Sequence, residues 1–332
     1  MFDEHLKRER GCLGKSYSTL APKVSVVIAT KDRAEALVEY SLKSLLIQDF
    51  NNFEVIVCDA SDNDLSLEAC LAYKESLNLR YFKAPKPGLT SQRNFALEKV
   101  ETELVLFIDD DIELHKNAIS DLVYAADNHP EADVFGYRIE GERECQDNGL
   151  MGYFNKIFDL VFYFVPLRRK QRFVSIVAIN RFPQKEIAKE EQPQWISGGG
   201  LAARRQVFDQ LKFSVILEKF GGYALGEDVY FSHSALQAGF NLTMIESEPI
   251  VHHAAIGGRL TSVNHQASLT FNRFVIWYDL IYPKNRLFIF PFVWSIIGDV
   301  FKALINTLLN LRLEYIVGSL KGVVATFSLK KN

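Results

Sequence analysis

The chain has 332 residues of which 48% are hydrophobic, enough for one large domain, or a domain with an appendage, around a sizeable core. Its 38 Lys and Arg against 41 Asp and Glu give a net charge of −3, which excludes an overall pull toward nucleic acid. Four cysteines (Cys12, Cys58, Cys70, Cys145) form no CxxC pair and no metal-ligand spacing, so a reduced, cytoplasmic setting is expected.

Met1 to Arg10 is charged throughout and has no apolar stretch of the signal-peptide kind. Gly14-Lys15-Ser16 has the look of a phosphate-binding loop, but Glu9 stands where that loop requires a glycine and no strand precedes it. Residues 1–21 are therefore expected to be a tail. Val24 to Ala29 is a first buried strand, and it runs through Thr30-Lys31-Asp32-Arg33 into a helical pattern from Ala36 to Ile47. That loop holds no glycine, which disfavours a dinucleotide-binding Rossmann enzyme. Phe53 to Cys58 predicts a second strand ending in Asp59, and Leu79 to Lys83 a third. Lys86-Pro87-Gly88 then turns into a helix from Thr90 to Val100 that carries Arg93 and Asn94.

Leu104 to Ile108 reads as the central buried strand, and it ends in Asp109, Asp110 and Asp111. Interior parallel strands deliver functional groups at their carboxyl ends. Three adjacent carboxylates repel one another unless a cation or a donor answers them, and oxygen ligands suit Mg²⁺ or Mn²⁺. Taken alone, the same acids equally suit the capping of a following helix. Strand and helix alternate four times with short links, so the fold class is α/β: a mostly parallel open sheet with helices on both faces.

Asp133 to Ile139 predicts a further strand, and residues 140–194 an insertion or lid with an apolar piece from Leu150 to Leu167. At Trp195 to Ala203 the glycines Gly198, Gly199 and Gly200 allow close backbone approach to a ligand. Gly226-Glu227-Asp228 opens a helix to about Ala238, Asn241 to Glu246 is a last strand, and His252-His253 follows it. Residues 261–332 carry eight Lys or Arg against three Asp or Glu, net +5, leaving −8 for residues 1–260. Leu287 to Gly298 is twelve residues without a charge, too short to span a bilayer. Around the following helix Ser295, Asp299, Lys302, Asn306 and Asn310 form one polar stripe, and Ile296, Ile297, Val300, Phe301, Leu304, Ile305, Leu308 and Leu309 cover the rest. With its basic excess and its aromatic residues, this segment predicts either a helix in the interface of an anionic membrane or a helical pair packed on the domain or on a second copy of the chain.

These pieces in this order resemble glycosyltransferase family 2, the inverting, nucleotide-sugar-dependent enzymes of the GT-A fold, over roughly Pro22 to His253, so that residues 22–260 are expected to form the GT-A domain and 261–332 a helical segment. The resemblance rests on Val24 to Arg33, Asp59, Arg93-Asn94, the DxD motif at Asp109-Asp110-Asp111, Gly198 to Arg205 and Glu227-Asp228. Two departures stand out: Ala60-Ser61 replaces a usual acidic or amide residue and glycine, and His233 replaces a basic residue. The resemblance implies a metal, Mn²⁺ or Mg²⁺, on Asp109, Asp111 and a histidine after the last strand; adjacent residues of an extended segment face opposite ways, so one of His252 and His253 would serve, and His252 is chosen, the alternative being a surface histidine doublet. It implies Asp228 as general base with Glu227 beside it, and donor contacts from Thr30, Asp32, Asp59, Arg93, Asp109, Asp110 and Gly199. A UDP- or dTDP-sugar donor, a glycan or lipid-linked acceptor and a place on the inner face of the cell membrane complete the expectation. A nucleotidyltransferase making nucleotide-sugars would share sheet and metal, but Thr30 to Arg33 lacks its glycine-rich basic loop; a non-catalytic scaffold would have no use for Asp109, Asp111 and Asp228 together.

Overall fold

A computed structural model describes residues 21–140, 150–183, 192–255, 260–310 and 313–329. Most of the expected tail, Gly14-Lys15-Ser16, Cys12, Cys145 and parts of the 140–194 insertion lie outside the described residues. The first half alternates as the sequence pattern demands. β1 (Val24–Thr30) leads to α1, built of Ala34–Ala36, a π-helical stretch Leu37–Leu42 and Lys43–Leu46. β2 (Phe53–Asp59), α2 (Leu65–Leu77), β3 (Leu79–Lys83), α3 (Leu89–Leu97) and β4 (Leu104–Asp109) follow. Next come the short β5 (Ile112–Glu113), α4 (Ala118–Asn128) and β6 (Val134–Gly136).

Within the insertion lie α5 (Leu150–Tyr163) and a small hairpin of β7 (Phe173–Val174) and β8 (Asn180–Arg181). β9 (Gly200–Arg204) and α6 (Arg205–Gln210) precede α7 (Glu227–Gln237), β10 (Leu242–Met244) and β11 (Val251–His252). Three helices close the chain: α8 (Ser262–Leu280), α9 (Ile289–Asn310) and α10 (Glu314–Thr326).

The seven-stranded sheet has the order β10-β6-β9-β4-β1-β2-β3. All neighbours are parallel except β9, which runs antiparallel between β4 and β6. Alternating side chains feed two cores: Val26, Val55 and Leu106 meet α1, α2 and α4 on one face, while Val27, Ile56 and Phe107 meet α3, α6 and α7 on the other. β1 and β4 are adjacent in the sheet, but the chain runs on from β1 to β2 at one side and from β4 to β6 at the other, in opposite directions along the sheet, so a crevice opens beyond their carboxyl ends.

The insertion and the carboxyl-terminal helices share a third core. Phe158, Tyr163, Trp195, Val229, Ile276, Trp277 and Phe292 are packed together there. Phe162 stacks on Trp294 with ring centroids 5.4 Å apart, and Gly298 leaves room for the Phe162 ring. The first two residues of the polar stripe on α9 face the interior. Ser295 is fully buried, and Asp299 accepts from Tyr163 Oη (2.8 Å) and pairs with Arg273 of α8. The reason is electrostatic: the largely buried Arg273 requires a counter-charge, and α9 supplies it from Asp299, while Lys302 further along the stripe is exposed. The side chains of Asn306, Leu309 and Asn310 lie outside the described set.

Candidate active site

A cleft of about 700 Å³ opens at the ends of β1 and β4 and is lined by, among others, Thr30, Arg33, Asp109, Asp110, Asp111, Gly199, Glu218, Asp228 and His252. Asp109 closes β4 and is one-third exposed, while Asp110 and Asp111 are buried in the turn. Ser41 of the π-helical stretch fixes that turn by donating to the carbonyls of Asp109 and Ile112, both at 3.0 Å.

Each acid of the triplet has its own surroundings. Thr30 Oγ1 donates to Asp110 (2.7 Å), and the Arg33 guanidinium lies 3.1 Å from the other oxygen of the same carboxylate. Burial pushes Asp110 up to about 7, opposed by Arg33 and Thr30. Asp111 receives Arg33 at 2.6 Å and the Ala255 N–H at 2.9 Å, with His252 Nε2 3.2 Å from its second oxygen. Burial would raise Asp111, but the hydrogen bonds and charges of His252 and Arg33 outweigh it and bring the carboxyl down to about 2. Arg33 belongs to the β1 loop that the sequence singles out, yet its part in neutralising two of the three acids is visible only in three dimensions.

His252 reaches the site because β11 pairs antiparallel with β5, the strand that directly follows the triplet, in the register His252 to Ile112. Its neighbour His253 faces away, 2.7 Å from Glu113 and stacked on Tyr40. One oxygen each from Asp109 and Asp111 and one ring nitrogen of His252 lie within 4.8 Å of one another. Two carboxylates and an imidazole at the cleft surface form a donor set that fits Mn²⁺ or Mg²⁺.

Arg93 is 1% exposed and takes a different place from the one the sequence suggests. It bonds Glu227 (2.7 Å), Asp109 (3.0 Å) and the Gly198 carbonyl (2.9 Å), beneath the cleft wall and against the rings of Phe107 and Phe213. Gly198 must lack a side chain, since a Cβ there would run into Glu227, and a Cβ on Gly199 would sit 3.3 Å from Asp109. Asp32 and Asp59 are not brought onto the cleft wall. Asp59 is fully buried, accepting from the Ser61 N–H (2.8 Å) and Tyr81 Oη (2.7 Å), and Ser61 Oγ in turn receives the Asp32 N–H (2.7 Å).

Glu227 and Asp228 open α7 after Gly226, whose positive φ of 80° suits glycine. Glu227 is buried, and both burial and the Asp228 charge raise its pKa against the pull of Arg93. Asp228 is half-buried and lines the cleft, accepting from Val229 N–H (2.8 Å) and Gly198 N–H (3.3 Å). Its pKa is raised by burial, which those two donors only partly offset. A carboxylate so placed can accept a proton from a group entering the cleft.

A family model described as glycosyl transferase family 2 matches residues 25–209, more than half of the chain. The chain belongs to glycosyl transferase family 2. Its sequence is 38% identical over 119 residues to a Campylobacter jejuni protein described as GalNAc(5)-diNAcBac-PP-undecaprenol beta-1,3-glucosyltransferase. That match covers 35% of this chain and 38% of the relative, so the chain spans little more than a third of that relative's length. Among solved structures, Staphylococcus aureus TarS 1-349 in complex with UDP-GlcNAc matches with a TM-score of 0.54 and 19% identity over 89% of this chain and 79% of that one. The mannosyltransferase PcManGT of Pyrobaculum calidifontis, in complex with GDP-Man and Mn2+, matches with a TM-score of 0.50 and 16% identity over 96% of this chain and 91% of that one. At these identities the likeness speaks for the fold, which is GT-A.

Proposed function

We propose that the chain is an inverting glycosyltransferase that moves a sugar from a nucleotide-sugar to a hydroxyl of a lipid-linked or polysaccharide acceptor. The observation that carries this reading is the convergence of Asp109, Asp111 and His252 in the same cleft that Asp228 lines. A Mn²⁺ or Mg²⁺ held by those three residues would offset the charge that builds on the departing nucleotide diphosphate. Asp228 accepts the proton of the acceptor hydroxyl while the hydroxyl oxygen attacks the anomeric carbon; the bond from that carbon to the diphosphate breaks and the electron pair leaves with the diphosphate. Displacement from the side opposite the leaving group inverts the anomeric centre. Glu227, held by Arg93, keeps the start of α7 in place.

In this reading Thr30, Asp110 and Gly199 border the donor, and the nucleoside extends toward Asp32 and Asp59, which are linked to each other through Ser61. A UDP- or dTDP-sugar is the proposed donor, in keeping with the UDP-GlcNAc complex of the TarS neighbour. The PP-undecaprenol in the name of the C. jejuni relative supports a lipid-linked acceptor. An anionic membrane surface on the cytoplasmic side is the proposed location, supported by the outward apolar side of α9 and the net charge of +5 over residues 261–332. The test is a screen of UDP-, dTDP- and GDP-sugars for Mn²⁺-dependent hydrolysis and thermal stabilisation. A UDP- or dTDP-sugar should give both, and a chain that neither binds nor hydrolyses any of them would overturn the reading.

A further inference from the structure

We propose that Glu218 is a positioning residue that hangs the segment leading to Asp228 on the amino end of α3; the proposal rests on Asp228 being the base. The first N–H groups of a helix have no partner within it. At α3 the N-cap is Gly88, which offers no side chain. A carboxylate from far along the chain takes over. Glu218 ends a short 3-10 turn, Val215–Glu218, and accepts from the Ser91 N–H, Thr90 Oγ1 and Ser91 Oγ, each at 2.6 Å. A negative group at that end is also favoured by the helix dipole. Gly88 is matched to the contact: its φ is +144°, and a Cβ there would overlap the Glu218 carboxylate.

The contact is one of a series along α3. Asn94 binds Phe213 in both directions, donating to its carbonyl (2.8 Å) and accepting from its N–H (2.9 Å). Leu89 N–H donates to the Gly222 carbonyl (2.9 Å), and Arg93 reaches Glu227. The stretch 213–227 is therefore held by α3 at its start, middle and end, and Asp228 is the next residue. From the other side, buried Asn272 of α8 donates to the carbonyls of Leu217 (3.1 Å) and Leu225 (2.9 Å). Asn272 and Arg93 lie in the core, whereas Glu218 is half-buried and lines the cleft. Its loss would loosen the middle of the segment, leaving it to the single Leu89–Gly222 bond and the Asn272 side chain, while the two ends stay attached. A base carried by a looser segment spends less time at the attacking hydroxyl, and small misplacements of that kind cost large factors in rate.

The experiment compares the unmutated chain with E218A, E218Q and G88A. Amide hydrogen exchange is read first, because it does not depend on turnover. E218A and G88A should exchange faster in 88–92 and 219–226 while β1 and β4 stay unchanged, and E218Q, which keeps an acceptor oxygen for Thr90 and Ser91, should stay close to the unmutated chain. With UDP-GlcNAc and Mn²⁺ as the donor probe, kcat for E218A should fall about tenfold to a hundredfold with donor KM unchanged, and E218Q should recover most of it. Unchanged exchange in E218A overturns the proposal. So does an equal loss of kcat in E218A and E218Q, which would make the charge itself the reagent. If D228N turns over normally while E218A loosens the segment, the anchor stands and the choice of base falls; if UDP-GlcNAc is no donor, exchange alone decides.

Discussion

Asp111 sits in a balance that a single atom can upset. It is buried, answered by Arg33 and by the Ala255 N–H, and it shares His252 with the candidate metal site. Replacing it with Asn keeps the volume but removes the charge and one ligand oxygen, so D111N should fold normally and lose Mn²⁺-dependent binding of UDP. Calorimetric titration with UDP in the presence and absence of Mn²⁺ checks this, and binding equal to that of the unmutated chain would move the metal elsewhere. Asp228 makes a separate prediction. A protonated carboxyl cannot take a proton, so turnover should fall as pH drops through the Asp228 pKa, and burial places that fall above the ordinary aspartate value. D228N should bind donor but turn over at least about a hundredfold more slowly, and its rate against pH should lack the acidic limb. A limb that persists in D228N would assign it to another group, with Glu227 the next candidate.

At the scale of elements, the two strands that build the site could be read from the sequence because buried parallel strands are continuous apolar runs. Val24 to Ala29 and Leu104 to Ile108 were legible for that reason, and their acids fell at the carboxyl ends where the sheet opens. The choice of His252 over His253 followed from alternation along an extended segment, and the β5 to β11 pairing turns them apart. Other features were illegible because they join distant stretches through side-chain geometry. Nothing near Glu218 in sequence points to Thr90 and Ser91, and the Arg33 contacts depend on how the β1 loop folds over the triplet.

Arg93 shows the difference most sharply. Its position in the motif was legible, but a nucleotide contact was the expectation, and the side chain instead lies under the wall between two acids. Removing it leaves Glu227 and Asp109 without their shared counter-charge in a largely buried place. R93A should therefore lower stability by about 3–5 kcal/mol in the absence of any nucleotide, measured by denaturant unfolding. If R93A unfolds like the unmutated chain and only its affinity for UDP suffers, the arginine serves the donor and not the scaffold.

For the whole molecule the informative feature is the exposed apolar side of α9. A helix on the surface of a protein in water turns mostly polar residues outward, but here Ser295 and Asp299 face Arg273 and Tyr163 while Phe290, Val293, Ile297, Val300, Phe301, Leu304 and Leu308 are exposed, with Lys302 the one charged residue among them. The twelve uncharged residues Leu287 to Gly298 alone suggest a segment too short to span a bilayer. The helical stretch Arg286–Ile305, however, tolerates Asp299 and Lys302 and is by length and composition long and apolar enough to cross one, and its most apolar part is only 22% buried. Phe154, Ile157 and Val161 of α5 and Val317, Leu320 and Val324 of α10 are exposed as well. Apolar patches of this extent mark surfaces that meet another molecule or a membrane. Lipid as the occupant explains both the inward polar seam and the basic excess, since apolar burial and attraction to anionic headgroups add. Phe301 is 47% and Leu304 46% exposed, and Phe301 stacks on Phe158 of α5, so replacing both by Ser removes exposed apolar surface at the cost of that one ring contact, and a thermal melt beside the binding assay confirms that the variant is folded. That double variant should release the chain from vesicles of anionic lipid, and raising salt should weaken binding of the unmutated chain by screening its electrostatic part. A second copy of the chain would give the opposite pattern: a concentration-dependent dimer in sedimentation, dissociated by the same two changes, with no co-sedimentation on vesicles. The unmutated chain staying in the supernatant with anionic vesicles at low salt would rule out the membrane.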